Sequence, residues 1–295
     1  MEKFKQNCLF QNIPYHEIKL KKKLYEGNRS IVYETSYKNK NYITKLYYMN
    51  DDSYESMLYQ LKIAKAVNQC KHVIHTYGVT ISEKDNIIGI IMEYLNSQDL
   101  YDYLQCNTFW SKTIHKNDNY TVYNSDENVY YKYIMDYEDK LNLIKQMVEA
   151  IRELHSLNII HNDIKLQNFI VYKDNNNIPK IKCIDLECCY FIDHKKPIIY
   201  SKNILGTDGY MNLSSNRGFI SKKTDIYSLG VSMIEVMNGD IWSGDEETYE
   251  DTRKTILYFL KKINKMDENI GRIIKRCIST DEKKIPKVTT VLKYL

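Results

Sequence analysis

The sequence predicts an α+β fold in two lobes, a small β-rich lobe at the N-terminus and a larger helical lobe after it. The change of hydrophobic period along the chain carries this expectation. Before residue 95 the apolar residues lie in short strand-like runs: Tyr42-Ile43-Thr44-Lys45-Leu46 alternates, and Ile87 to Met92 is apolar almost without break. One helical period interrupts them over Ser53 to Val67, with Met57, Leu61, Ala64 and Val67 on one face. Beyond residue 95 the helical period dominates. A short helix ends near Leu104, and Leu141, Ile144, Val148 and Ile151 mark a longer one over 138–155. A third, 225–237, is apolar on most faces through Ile226, Leu229, Met233, Ile234, Val236 and Met237, which predicts a buried helix. The resulting division is an N-terminal extension over 1–17, the small lobe over 18–95 and the large lobe over 96–295. Within the large lobe, 106–136 is rich in Asn, Tyr, Asp and Lys without a steady period. It is longer than most connections in a compact domain and reads as a loop insertion.

Composition narrows the partners. A chain of 295 residues with 43% hydrophobic content can bury one large core or two lobes. The net charge of +4 comes from lysines spread along the chain, too mild to imply nucleic acid, and Lys19 to Lys23 reads as a solvated strand start. No apolar run reaches the length of a membrane span, and Met1 to Phe10 is too polar for a signal peptide, so an intracellular, cytoplasmic protein is expected. The seven cysteines show no CxxC spacing; they are expected to be free thiols in a reducing compartment and not a zinc site.

The densest chemistry lies in His161-Asn162-Asp163-Ile164-Lys165-Leu166-Gln167-Asn168, followed by Ile184-Asp185-Leu186-Glu187. An acid, a cation and an amide share one short loop, and a second acid arrives one strand hairpin later. Phosphoryl transfer leaves little covalent work to a protein, so it needs acceptor orientation and charge neutralisation at this kind of spacing. Asp163 is placed to accept an acceptor hydroxyl's proton and Lys165 to meet the transferring phosphate. Asn168 and Asp185 supply the hard oxygens that suit Mg²⁺. Four specified residue types at fixed spacing arise by chance in fewer than roughly one in a hundred such chains.

The flanks agree with this. Leu24 to Tyr33 stands where a Gly-rich phosphate loop is expected, although only Gly27 remains, with Tyr25 and Ser30 at the outer glycine positions. Lys45 follows at the distance of a phosphate-pairing lysine. Downstream come Leu205-Gly206-Thr207-Asp208-Gly209-Tyr210-Met211 and Lys223-Thr224-Asp225-Ile226-Tyr227-Ser228-Leu229-Gly230-Val231. With these motifs the chain resembles the eukaryotic-type protein kinase family over roughly residues 18 to 294, as a divergent serine/threonine-specific member.

The resemblance implies a two-lobe protein-kinase-like fold and transfer of the γ-phosphoryl group of ATP, with Mg²⁺ or Mn²⁺, to protein serine or threonine hydroxyls. It implies that Met92 guards an adenine pocket, that the backbone around Glu93 to Leu95 reads the adenine edge, and that Asp99 meets the ribose. Val32, Ile43 and Ile170 would sandwich the base. Thr207 would hydrogen-bond between Asp163 and Lys165, and Asp225 would be a buried acid bracing the catalytic loop. Lys165, two residues beyond Asp163, is similar to the serine/threonine-specific loop and not to the tyrosine-specific one.

Several positions depart from the family pattern. Asn162 replaces an arginine that normally pairs with a phosphorylated activation segment. Leu186-Glu187 replaces Phe-Gly, which brings a charge next to the metal, either into its outer shell or against nucleotide binding. Asn212-Leu213-Ser214 and Ile285 replace a glutamate motif and its arginine partner together, a joint loss that strands no buried charge. The small-lobe helix should supply Lys45 with a glutamate, but Gln60 stands at the expected place and Glu55 more than a turn earlier. Beside an active protein kinase, two other readings follow from these residues. One is a catalytically silent binding or scaffold protein. The other is a small-molecule kinase similar to the choline and aminoglycoside kinases, whose loops share the His-Asn-Asp and Ile-Asp-x-Glu patterns.

Overall fold

The computed structural model of the chain describes residues 2–27, 30–50, 53–106, 108–111, 121–124, 129–133, 135–242 and 248–295, with the side chains of 2–3 and 106–134 left aside. The small lobe is built on an antiparallel sheet of β1 (Lys19–Glu26), β2 (Ser30–Tyr37), β3 (Lys40–Tyr48), β4 (Thr76–Ser82) and β5 (Ile87–Glu93), in spatial order β1-β2-β3-β5-β4. Alternation assigns its faces. Register pairs Val32 with Lys45, Lys45 with Ile90, and Ile43 with Met92, so Val32, Ile43, Lys45, Tyr47, Ile88, Ile90 and Met92 share one face. Thr44, Leu46, Gly89 and Ile91 line the other. Gly89 is required there, because a Cβ would come within 2.6 Å of Thr80 Cγ2 and 2.7 Å of Leu46 Cδ2.

Two helices close this lobe. α1 (Glu2–Asn7) and α2 (Ser53–Val67) share a buried cluster with the Lys45 face, in which Phe4, Met57 and Leu61 meet Tyr47, Val79, Ile88 and Ile90. The N-terminal residues are therefore part of the small lobe's core. They also run alongside β4, where the Ile13 N–H donates to Val79 O at 2.7 Å and the Val79 N–H to Gln11 O at 3.0 Å.

The large lobe begins with β6 (Ser97–Asp99) and α3 (Leu100–Cys106). Residues within 106–136 form β7 (Thr108–Ser111), β8 (Thr121–Asn124) and β9 (Val129–Tyr133), a sheet of their own in order β7-β9-β8. α4 (Tyr137–Ser156) follows, started by the Asp136 carboxylate accepting from the Asp139 N–H. Its apolar face, with Leu143, Ile144, Met147, Val148 and Ile151, packs into the main core. β10 (Ile159–Ile160) leads into the loop 161–168. The hairpin β11 (Phe169–Lys173) and β12 (Pro179–Cys183) comes next, with β6 on its outer side. After β13 (Tyr190–Phe191), β14 (Ile199–Tyr200) and β15 (Phe219–Ile220) the chain enters α5 (Lys222–Asn238). α5 is buried along nearly its whole length, held at its start by a capping box of Ser221 and Thr224. α6 (Tyr249–Met266), α7 (Glu268–Cys277) and the short α8 (Val288–Val291) complete the helical layer around it. Among the described residues no helix is long and apolar enough to cross a membrane.

The lobes are joined by more than the connecting chain. Glu153 of α4 accepts from the backbone of His72 at 2.9 Å and of Lys71 at 3.3 Å, and Cys183 of β12 exchanges backbone hydrogen bonds with His72 and Ile74. These bonds fix the segment between α2 and β4 to the large lobe, which sets where β3 stands over the loop 161–168.

Candidate active site

The loop 161–168 is shaped by one buried acid. Asp225, 1% exposed in the first turn of α5, accepts from the N–H groups of His161 at 2.9 Å and Asn162 at 2.8 Å and from His155 Nε2 at 2.8 Å. A carboxylate so placed is satisfied by fixed donors and holds the loop's backbone rigid. Asn162 adopts a left-handed conformation, φ 66°, which asparagine tolerates better than most residues. Its side chain donates to Leu205 O at 3.2 Å, fastening the loop to the segment that carries Thr207.

On this frame the sequence-predicted residues come together. Asp163 Oδ1 accepts from Thr207 Oγ1 at 2.7 Å, and Asp163 Oδ2 accepts from Asn168 Nδ2 at 2.9 Å. Lys165 Nζ donates to Thr207 Oγ1 at 2.8 Å and lies 3.4 Å from Asp163 Oδ2. The Asn168 amide turns its nitrogen to Asp163, donating to the Asp163 carbonyl as well at 2.7 Å, so its oxygen is the end left for a cation. Asp185, in a left-handed conformation with φ 59°, begins a single 3-10 turn over Leu186–Cys188. It places one carboxylate oxygen 3.0 Å from Lys45 Nζ, which joins the small lobe to the loop side of the large one.

Lys45 has a second partner, which was not foreseen from the sequence. Glu187 Oε1 is in ion-pair contact with Lys45 Nζ, and the same oxygen accepts from Tyr47 OH at 2.8 Å. Neither Gln60 nor Glu55 hydrogen-bonds or pairs with Lys45 among the described residues. Burial alone would lower the lysine's pKa; the carboxylates of Asp185 and Glu187 outweigh it and hold the ammonium above its ordinary range. Burial acts oppositely on the neighbouring thiol. Cys188 is pushed up to about 12, helped by the negative charge of Asp163, Asp185 and Glu187, so it stays protonated and inert beside the site.

The residues expected around a base are distributed as follows. Val32, Ile43 and Met92 lie half-buried on the sheet face of Lys45. Ile170 and Asp99 stand opposite each other where β11 pairs with β6. Glu93 turns its carboxylate away to Lys182 Nζ, 2.5 Å, and the His75 N–H, 2.7 Å, while its own N–H donates to His75 O. Leu95, two residues past the end of β5, is half-buried. One Asp99 oxygen caps α3 through the Asp102 N–H at 2.8 Å, and burial raises that carboxyl. Gly27 is confined by Tyr25, whose ring would stand 2.9 Å from a Cβ at 27, so the tyrosine folds over the only glycine of that turn.

The donor set suits a divalent cation of the magnesium type. Asp185 and Asn168 offer hard oxygens, and among the described residues no group of three or more His, Cys, Asp or Glu forms a cage of its own. A metal here would complete its shell with phosphate and water, as Mg²⁺ does.

Comparison with known proteins agrees with this geometry. A family model described as the protein kinase domain matches residues 18–294. The chain is similar to the serine/threonine-protein kinase PrkC of Bacillus subtilis, 26% identical over 162 residues, 55% of this chain and 20% of that protein. It is also similar to calcium-dependent protein kinase 27 of Arabidopsis thaliana, 23% identical over 197 residues, 67% of this chain and 35% of the relative. Serine/threonine-protein kinase Pkn1 of Myxococcus xanthus shares 29% over 108 residues, 36% of this chain and 15% of its own length. The chain thus spans about a third or less of the length of these relatives. With the Asp163–Lys165–Thr207 cluster, the Asp225 brace and a family match over nearly its whole length, this chain belongs to the protein kinase domain family.

Proposed function

We propose that the chain is an active ATP-dependent serine/threonine protein kinase. The observation that carries this reading is the closed hydrogen-bonded set of Asp163, Thr207, Lys165 and Asn168, a general-base carboxylate held beside a cation at fixed depth. Asp163 takes the proton of the acceptor hydroxyl, and Lys165 offers positive charge to the phosphoryl group as it moves. Thr207 ties these two together, so a peptide lying along Gly206 to Met211 must present a short aliphatic hydroxyl to reach Asp163. Lys45 faces the nucleotide phosphates, Asn168 and Asp185 would hold the metal, and Gly27, Val32, Ile43, Met92, Glu93, Leu95, Asp99 and Ile170 would frame the nucleoside. Bound Mg²⁺ or Mn²⁺ would neutralise charge on the phosphates of ATP.

A protein acceptor is favoured over a small molecule by the wall itself. Tyr210 is 5% exposed and fastened to α5, its OH donating to Glu235 and its carbonyl accepting from Ser228, so Gly206 to Met211 is a built surface and not a stray loop. An intracellular, cytoplasmic location belongs to this reading. It is supported by the six described cysteines, all free.

The test is transfer from labelled ATP to a mixed peptide library, with phosphoamino-acid analysis of the products. Wild type is expected to label serine and threonine, and Asp163→Ala to lose on the order of 10² to 10⁴ of that rate with its fold kept. Equal transfer by both proteins, or mainly phosphotyrosine, would refute the proposal. Nucleotide binding without transfer would mark a silent binding protein instead.

A further inference from the structure

We propose that Glu187, braced by Tyr47, is the residue that positions Lys45 for nucleotide phosphates, and that α2 takes no part in that task. The inference rests on the kinase reading above, and it concerns a residue that the sequence leaves open between the metal's outer shell and a hindrance to nucleotide binding.

Lys45 is 17% exposed at its side chain and has two acidic partners, Asp185 and Glu187. They are not equivalent. Asp185 is the carboxylate suited to a metal, so its charge is not reserved for the lysine. Glu187 is tied on the protein side, because the oxygen that meets Lys45 also accepts from Tyr47 OH at 2.8 Å. Tyr47 is 7% exposed, and its phenol needs an acceptor at that depth. Strand alternation places Tyr47 two residues after Lys45 on the same face of β3, so the ammonium and the phenol reach the same carboxylate from one strand. The left-handed Asp185 followed by the 3-10 turn Leu186–Cys188 is the local geometry within which Glu187 meets β3.

α2 offers nothing comparable. It turns Met57, Leu61 and Ala64 inward, leaves Glu55 exposed, and among the described residues sends no polar group to Lys45. Its polar link to the site's neighbourhood is Tyr59, whose hydroxyl accepts from the Phe191 N–H at 2.8 Å. The helix thus supports the segment after the metal carboxylate, while the segment supplies the lysine's counter-charge. A glutamine at position 60 is then no loss, and the glutamate at 187 is its replacement.

The test compares Glu187→Gln and Tyr47→Phe with Gln60→Ala and Glu55→Ala. For each, the apo melting temperature, the affinity for Mg-ATP by calorimetry and the separate KM values for ATP and peptide are measured. Glu187→Gln is expected to weaken ATP about tenfold or more, and Tyr47→Phe less, with peptide KM and apo melting temperature near wild type. The two α2 variants are expected to bind ATP as wild type does. Should Glu187→Gln fail to fold, Tyr47→Phe, which removes only a hydroxyl, carries the comparison. Unchanged ATP affinity in Glu187→Gln, or an equal loss in Gln60→Ala, would overturn the inference while leaving the kinase reading intact. Wild type that binds ATP and transfers nothing would refute the kinase reading and leave Glu187 to be judged on affinity. Wild type that binds no nucleotide would overturn both.

Discussion

Glu235 sits in the middle of α5 with 0% exposure. One of its oxygens accepts from Tyr210 OH at 2.6 Å, and the other has no partner among the described residues. Burial pushes its pKa from 4.5 up to about 8, against the opposing pull of the Tyr210 hydrogen bond. The folded state therefore keeps a proton that the unfolded state releases. The stabilisation is complete below the unfolded value and is lost as pH rises toward the folded one. Glu235→Gln, which cannot ionise, should flatten the fall in stability between about pH 5 and about pH 8; denaturant unfolding of both proteins across that range checks this, and parallel pH curves would exclude it. Other residues of the site differ in how far the sequence disclosed them. Asp163, Lys165, Asn168 and Asp185 were readable because their chemistry depends on short spacings within one loop and one hairpin. The pair of Tyr47 and Glu187 was not, since the two lie 140 positions apart and no local rule links them. The phase of Tyr47 relative to Lys45 on β3 was the available signal. β5 runs one residue past Met92, its expected end, to include Glu93, whose carboxylate meets Lys182, a partner so far along the chain that no local rule names it.

At the scale of elements, the segment from Asp185 to Ser214 is held without a phosphate. Asn162 fastens it through Leu205 O, Thr207 bonds to Asp163 and Lys165, β13 pairs with β10, and β14 pairs with β15. Tyr200 is 62% exposed with its ring tilted against Phe219, and the loop 161–168 carries an asparagine, Asn162, where a cation would be needed to receive a phosphate. Phosphatase treatment is therefore expected to leave the kinase activity within about twofold of the untreated protein. A loss restored by rephosphorylation at Tyr200 or Ser201 would contradict this. Neutral fastening recurs where the family pattern carries an ion pair: Asn212 accepts from Ser215 at 2.8 Å, and Ile285 is buried in the main core. The helices themselves were legible from their apolar period. α2 matches its expected span, whereas α5 starts at Lys222 and not 225, because the capping box uses threonine where a glutamate would have announced it. The strands β7, β8 and β9 were not expected, since their stretch of sequence shows no steady apolar period.

For the whole molecule, the site spans two lobes, so a ligand that bridges them should stabilise both. ATP with Mg²⁺ or Mn²⁺ is expected to raise the melting temperature, by about 2.7 kcal/mol of stability near 100 times Kd, and ATP in excess chelator to raise it far less. Equal shifts would mean that Asp185 and Asn168 do not act as metal ligands. The division into lobes was visible in the change of period near residue 95. The role of residues 2–18 was not, because Phe4 and Ile13 are lone apolar residues in polar surroundings and only the folded small lobe gives them a place. That place has a bearing on solubility. β4 is the last strand of its sheet, and residues 11–13 cover its open side with backbone hydrogen bonds. A shortened protein starting at residue 18, where the family match begins, would present a bare strand edge ready to pair with another molecule, together with the apolar hollow vacated by Phe4. Light scattering on the shortened protein should show concentration-dependent aggregation at temperatures where the full chain remains monodisperse.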